Sequence, residues 1–145
     1  MDHHTSAIVG HYVTKRGDRF AALEAVNRGV RRIFGAVAKD AAHGLVLRHD
    51  HGSQDTARDF QAGLTFVGIP SSPSYVREPQ GNGIAEQKSR TLKEQCLYLH
   101  AFETVEEAQA VVATFVAQHN EQWLIGRLDY RTPAAVSGSF ETKAA

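Results

Sequence analysis

The segment Gly44-Leu45-Val46-Leu47-Arg48-His49 is short, and its apolar residues are consecutive rather than alternating. A strand that reads apolar on both faces must be covered on both faces, which points to a buried strand of an α/β sheet. The flanking sequence supplies the cover. Asp18 predicts an N-cap for a helix over Arg19–Phe34, in which Leu23, Val26, Val30, Ile33 and Phe34 recur at helical spacing before Gly35 stops it. Upstream, Ile8–Val13 is rich in β-branched and aromatic residues and predicts a strand. Downstream, Ser53 caps a brief helix over Thr56–Leu64, and Thr65–Ile69 predicts a further strand. Pro70, Pro73 and Pro79 with Gly81 and Gly83 make Pro70–Gly83 a loop.

Two helices follow. The first is expected over Ile84–His100. The second runs over Thr104–Gln122, with Thr104 as N-cap, Glu107 completing a capping box, and Val105, Ala108, Val111, Val112, Phe115, Val116 and His119 on its core face. Strand, helix, strand, helix, strand and two helices is an α/β order. It assigns residues 1–136 to one domain and leaves Ser137–Ala145 as a small, polar, fraying tail.

The 16 basic and 16 acidic side chains cancel, which argues against a freestanding basic DNA-binding arm but not against a local basic face. Cys96 is the single cysteine, so no intrachain disulfide forms, and a reducing cytoplasm is expected. It reads as a small buried hydrophobe. No stretch reaches the roughly 20 apolar residues of a membrane span, and Met1-Asp2-His3-His4 does not begin a signal peptide.

Chemistry concentrates in two blocks. Leu45–Gln54 delivers Asp50 from an apolar run just before Gly52-Ser53, and Asn82–Gln95 opens a basic helix with Glu86. Arg90 and Lys93 stand four and seven residues after Glu86, on the same helical face. Either acid alone is ordinary: an Asp before Gly-Ser forms turns, and a Glu in a first helical turn complements the helix dipole.

Together, with Asn120–Leu124 and Tyr130-Arg131-Thr132-Pro133, these blocks resemble the catalytic core of insertion-sequence transposases and retroviral integrases, from about Ile8 to Pro133. The resemblance implies a ribonuclease H-like fold, here amino-terminally truncated from the third strand onward, with a mixed sheet and flanking helices. It makes Ile8–Val13 the third strand and puts two earlier strands, with the first of the family's three catalytic acids, before Met1. Asp50 and Glu86 match the other two, as catalytic residues and ligands of Mg²⁺ or Mn²⁺. Such enzymes cut and join DNA with two divalent ions about 4 Å apart, and Mg²⁺ suits carboxylate oxygens. Lys93 matches a family lysine that contacts DNA, Arg90 adds a phosphate contact, and Tyr75 and Arg77 lie in a loop like the mobile one that folds over substrate. The implied partners are transposon-end and target DNA, and a homo-oligomer or a full-length transposase.

Departures bear on activity. Asp55 replaces a usual aromatic, and Gln87-Lys88 replace the usual Arg and aromatic. With the first acid unaccounted for, the alternative is a non-catalytic DNA-binding or oligomerising remnant. Asp2 is a candidate stand-in for that acid, whereas Asp18 and Asp40 read as a cap and a loop residue. A third reading, a zinc hydrolase using His49, Asp50 and His51, requires imidazoles that strand alternation sends to the face opposite Asp50. Trp123 reads as an anchor for the last helix.

Overall fold

The structure is a computed structural model that describes residues 1–49, 57–73 and 83–141. The chain packs as two compact units, Gly10–Lys88 and Met1–Val9 with Ser89–Ala145.

In the first unit, α1 spans Arg19–Phe34. The Asp18 carboxylate accepts from the N–H groups of Phe20 and Ala21 at 3.0 and 2.9 Å, filling donors that a helix start leaves orphaned. Gly35 ends the helix at φ 81°, its N–H donating to Arg31 O. Strand β1 is Leu47–His49, α2 is Arg58–Val67 and β2 is Ser71–Pro73. The two strands pair in parallel, Leu47 with Ser71 and His49 with Pro73, so α2 is the crossover of a β–α–β unit. Val30, Ala42, Phe60, Leu64, Val67 and Ile69 form the core, with Leu23, Val26 and Leu47 packed against it. Each fully buried Val, Leu, Ile or Phe among them contributes about 1.5–3 kcal/mol.

Several expectations change in this unit. The strand expected at Thr65–Ile69 is the end of α2: Phe60, Leu64 and Val67 share a buried helical stripe, and that burial outweighs β-propensity. Gly68, at φ 79°, breaks the helix, and its N–H and that of Ile69 bond to the carbonyls of Thr65 and Leu64. The strand therefore starts two residues past Ile69, at Ser71–Pro73, inside the expected loop. Residues 74–82 of that loop lie outside the described residues. β1 is shorter than Gly44–His49, because Gly44 (φ 93°) sits in a turn and Val46 is 63% exposed. The helix over Thr56–Leu64 begins instead at Arg58, after an Ala57 N-cap without a side-chain bond; Ser53 is not among the described residues.

No strand forms at Ile8–Val13. A strand needs a ladder partner, whereas the Ile8 N–H and C=O are bonded by the side-chain amide of Asn120, at 2.9 and 3.0 Å. At Gly10 the main chain lies against α1: a Cβ there would stand 2.7 Å from Gly29 N and would also strike Ala25 O.

In the second unit, α4 spans Val105–Gln122 and α5 spans Pro133–Glu141. Thr104 Oγ1 accepts from Glu107 N at 3.1 Å, while Glu107 reaches back to the N–H of Glu103 rather than to Thr104 itself. Ala108, Val112, Phe115, Val116 and His119 are the buried face. His119 Nε2 donates to Ser6 O at 3.1 Å, and Arg127 donates to His3 O and Ser6 Oγ, so α4 and the turn after it hold the residues that precede Ile8. Trp123 caps α4 and meets Phe115 and His119 edge-on at 5.7 and 5.1 Å. α5 covers the first residues of the segment expected to fray, with Ser137 Oγ donating to Pro133 O. The division between units falls within α3, Gly83–Gln95. The helix expected over Ile84–His100 stops there because Cys96 leaves helical geometry (φ −133°); a 3₁₀ turn, Leu97–Leu99, follows.

Candidate functional site

The described part of β1 reaches His49, and Asp50, the next residue, lies outside the described residues. Tyr75 and Arg77 also lie outside them, as does His51. Glu86 stands in the first turn of α3 and is exposed. The main-chain N–H groups of a first helical turn have no partner inside the helix and favour a carboxylate beside them. Arg90 and Lys93 are exposed one and two turns further along the same face. The helix thus carries an exposed acid and two exposed cations.

His49 has a role that sequence reasoning missed. Its Nε2 is 2.7 Å from Ser71 Oγ, which also accepts from Gln61 Nε2 at 3.2 Å, and its ring meets Phe60 edge-on. A polar cluster from β1, α2 and β2 therefore ties together the strand end that leads to Asp50. The only signal was the parallel register, which sequence did not supply because β2 was read as loop. Binding zinc through Nε2 would break the bond to Ser71. Among the described residues no group of three or more His, Cys, Asp or Glu could hold a metal ion. Glu86 is a suitable hard-oxygen donor for Mg²⁺ or Mn²⁺.

Asp2 does not stand on a strand. Its carboxylate accepts from His4 N at 2.9 Å, Thr5 N at 3.2 Å and the Thr5 hydroxyl, closing a local turn. Burial opposes its ionisation, but the Thr5 and His4 hydrogen bonds prevail and hold the carboxyl below its ordinary range. Asp18 is the α1 cap, and Asp40 sits in a turn at φ 57°. Cys96 is buried, and burial pushes its thiol up. No helix among the described residues is long and apolar enough to cross a membrane.

Residues 67–133 match the integrase core domain family. The chain is 33% identical over 91 residues to the transposase for insertion sequence element IS904 of Lactococcus lactis, covering 62% of this chain and 36% of that protein. It is 26% identical over 114 residues to an insertion element IS407 protein of Burkholderia multivorans, covering 75% of this chain and 41% of that one. The chain thus spans well under half the length of these relatives. In fold it is similar to the catalytic core domain of BIV integrase, with a TM-score of 0.61 at 21% identity, over 91% of this chain and 79% of that one. It is also similar to a chain of the simian T-cell lymphotropic virus intasome in complex with a PP2A regulatory subunit, with a TM-score of 0.59 at 16% identity, over 77% and 37%. The matched sequence span contains Glu86, Arg90 and Lys93. The family match, the relatives and the likeness of fold all fall on integrase and transposase cores.

Proposed function

We propose that this transposase/integrase core acts in DNA transposition, as the part of the protein that holds divalent metal and DNA for strand cleavage and transfer. The observation that carries the reading is α3: an exposed Glu86 in its first turn, with Arg90 and Lys93 on the same face, inside the span matching the integrase core. Asp50, next after β1, is the second acid. Asp50 and Glu86 would hold Mg²⁺ or Mn²⁺, which supplies charge neutralisation at a phosphate and activation of water or a hydroxyl.

The protein's own contribution is placement. The His49–Ser71–Gln61 cluster fixes the end of β1. α3 spaces its carboxylate about 6 Å along the helix axis from Arg90 and about 10 Å from Lys93, at 1.5 Å rise per residue. Arg90 and Lys93 then position a DNA backbone by its phosphates, without reading bases. Tyr75 and Arg77 are assigned to the same DNA. The acting form is an oligomer or a complex with a longer transposase, in a reducing cytoplasm.

Titration of Mg²⁺ or Mn²⁺ into the purified chain, followed by NMR or calorimetry, tests this. Saturable binding, lost in both Asp50→Asn and Glu86→Gln, is expected. A folded chain that binds no metal, or whose binding ignores both substitutions, would refute the metal assignment and favour the non-catalytic remnant.

A further inference from the structure

The chain's net charge of zero hides a strong asymmetry. Gly10–Lys88 carries 11 Lys and Arg against 8 Asp and Glu, a net of +3, and the remaining residues carry 5 against 8, a net of −3. The excess is concentrated further. Residues 10–39 hold seven Lys and Arg against two carboxylates, Asp18 and Glu24, a net of +5.

Arg28, Arg31 and Arg32 occupy the last turns of α1 at spacings of three and four residues, so they share one face, and all three are exposed. Cations at a helix C-terminus complement the dipole, which accounts in part for Arg31 and Arg32. It does not account for what is built around Arg28. The Tyr12 ring lies 4.7 Å from the Arg28 guanidinium, and Glu24 holds Arg28 Nε at 2.9 Å, so the guanidinium is fixed from two sides. The close approach of Gly10 to Gly29 brings His11 and Tyr12 alongside this face. Burial first, then the charges of Arg28 and Arg32, push the His11 pKa down, as a locally positive potential requires. These groups gather basic side chains on one exposed face, whose charge complements an anion. Arg28 and Arg32 stand about 6 Å apart along the axis, close to two nucleotide steps of about 3.4 Å on one strand. A polyanion with regular spacing fits this better than a single small anion.

We propose that this face of α1, with Tyr12 and His11, is a second DNA-backbone site, on elements that carry neither Asp50 nor Glu86. It rests on the reading that the chain's ligand is DNA. It would grip duplex DNA by its phosphates, independent of sequence and of divalent metal.

The test is fluorescence anisotropy of a short labelled duplex with the full chain in EDTA, across a salt series. It compares wild type with Arg28→Gln/Arg31→Gln/Arg32→Gln, its all-lysine counterpart, and Arg90→Gln/Lys93→Gln. Loss of three phosphate contacts lowers the log–log salt slope by about 2.7, so the wild-type advantage over the glutamine triple falls about 40-fold between about 50 and about 200 mM salt. The lysine triple keeps most of the slope. Loss in the glutamine triple with little change in Arg90→Gln/Lys93→Gln upholds the α1 site and counts against DNA contact by α3. The converse overturns the α1 site and leaves the α3 reading standing. Wild type that binds no duplex overturns the α1 site, while the metal titration still judges Asp50 and Glu86. A glutamine triple that changes only self-association, with unchanged DNA affinity and slope, assigns the face to an acidic protein surface and also overturns it.

Discussion

Replacing Asn120 with alanine tests whether one side chain holds the amino-terminal segment in its own unit. Asn120 is 4% exposed, and its amide bonds both main-chain groups of Ile8, accepting from N–H at 2.9 Å and donating to C=O at 3.0 Å across 112 residues of sequence. Each bond is worth about 1 kcal/mol net, so Asn120→Ala costs about 2 kcal/mol. For a chain of this size that lowers the melting temperature by about 8 °C. Asn120→Asp keeps an acceptor for Ile8 N–H but sets a carboxylate oxygen against the Ile8 carbonyl, so at neutral pH it loses at least as much. Amide hydrogen exchange gives the local readout: Ile8 N–H should exchange faster in Asn120→Ala than its loss of global stability alone predicts. An unchanged melting temperature together with unchanged protection at Ile8 would refute the clamp.

Two further predictions follow from packing and charge. Gly10→Ala drives a Cβ into the backbone of Ala25 and Gly29 and should cost about 1–3 kcal/mol; at Gly63 the added Cβ meets only the Leu23 side chain, which can turn aside, so Gly63→Ala should shift the urea midpoint less, and equal shifts would contradict this. The Asp2 carboxyl lies below its ordinary value of 3.8 in the folded chain, so its contribution is present above that value and is lost as pH falls through the lower folded value. The stability difference between wild type and Asp2→Asn, followed from neutrality into acid, should shrink toward the acid end, and growth there would reverse the assignment.

Helix boundaries were legible where local chemistry sets them. Asp18 and Gly35 bracket α1, and Thr104 opens α4, because caps and left-handed stops act within one turn. Strands were not, because a strand is completed by its partner. Thr65–Ile69 has strand-like composition yet is claimed by a buried helical stripe, and Ile8 finds a side-chain amide in place of a neighbouring strand. Ser71–Pro73, with a proline and two serines, pairs with β1 although its composition argues for a turn. At the site, the exposure and shared face of Glu86, Arg90 and Lys93 follow from helical periodicity alone. The contact of His49 with Ser71 and Gln61 depends on strand register, which no local pattern encodes.

The thiol of Cys96 is 2% exposed at the end of α3, and burial also keeps it protonated. A thiol-reactive dye meets two barriers there, since it needs both access and thiolate. Labelling must therefore proceed almost entirely through molecules in which this region has opened. With one cysteine in the sequence, the chain carries a native stopwatch for local opening. Its labelling rate, read with and without DNA, reports whether added DNA changes the opening of this part of the second unit, with no engineered probe.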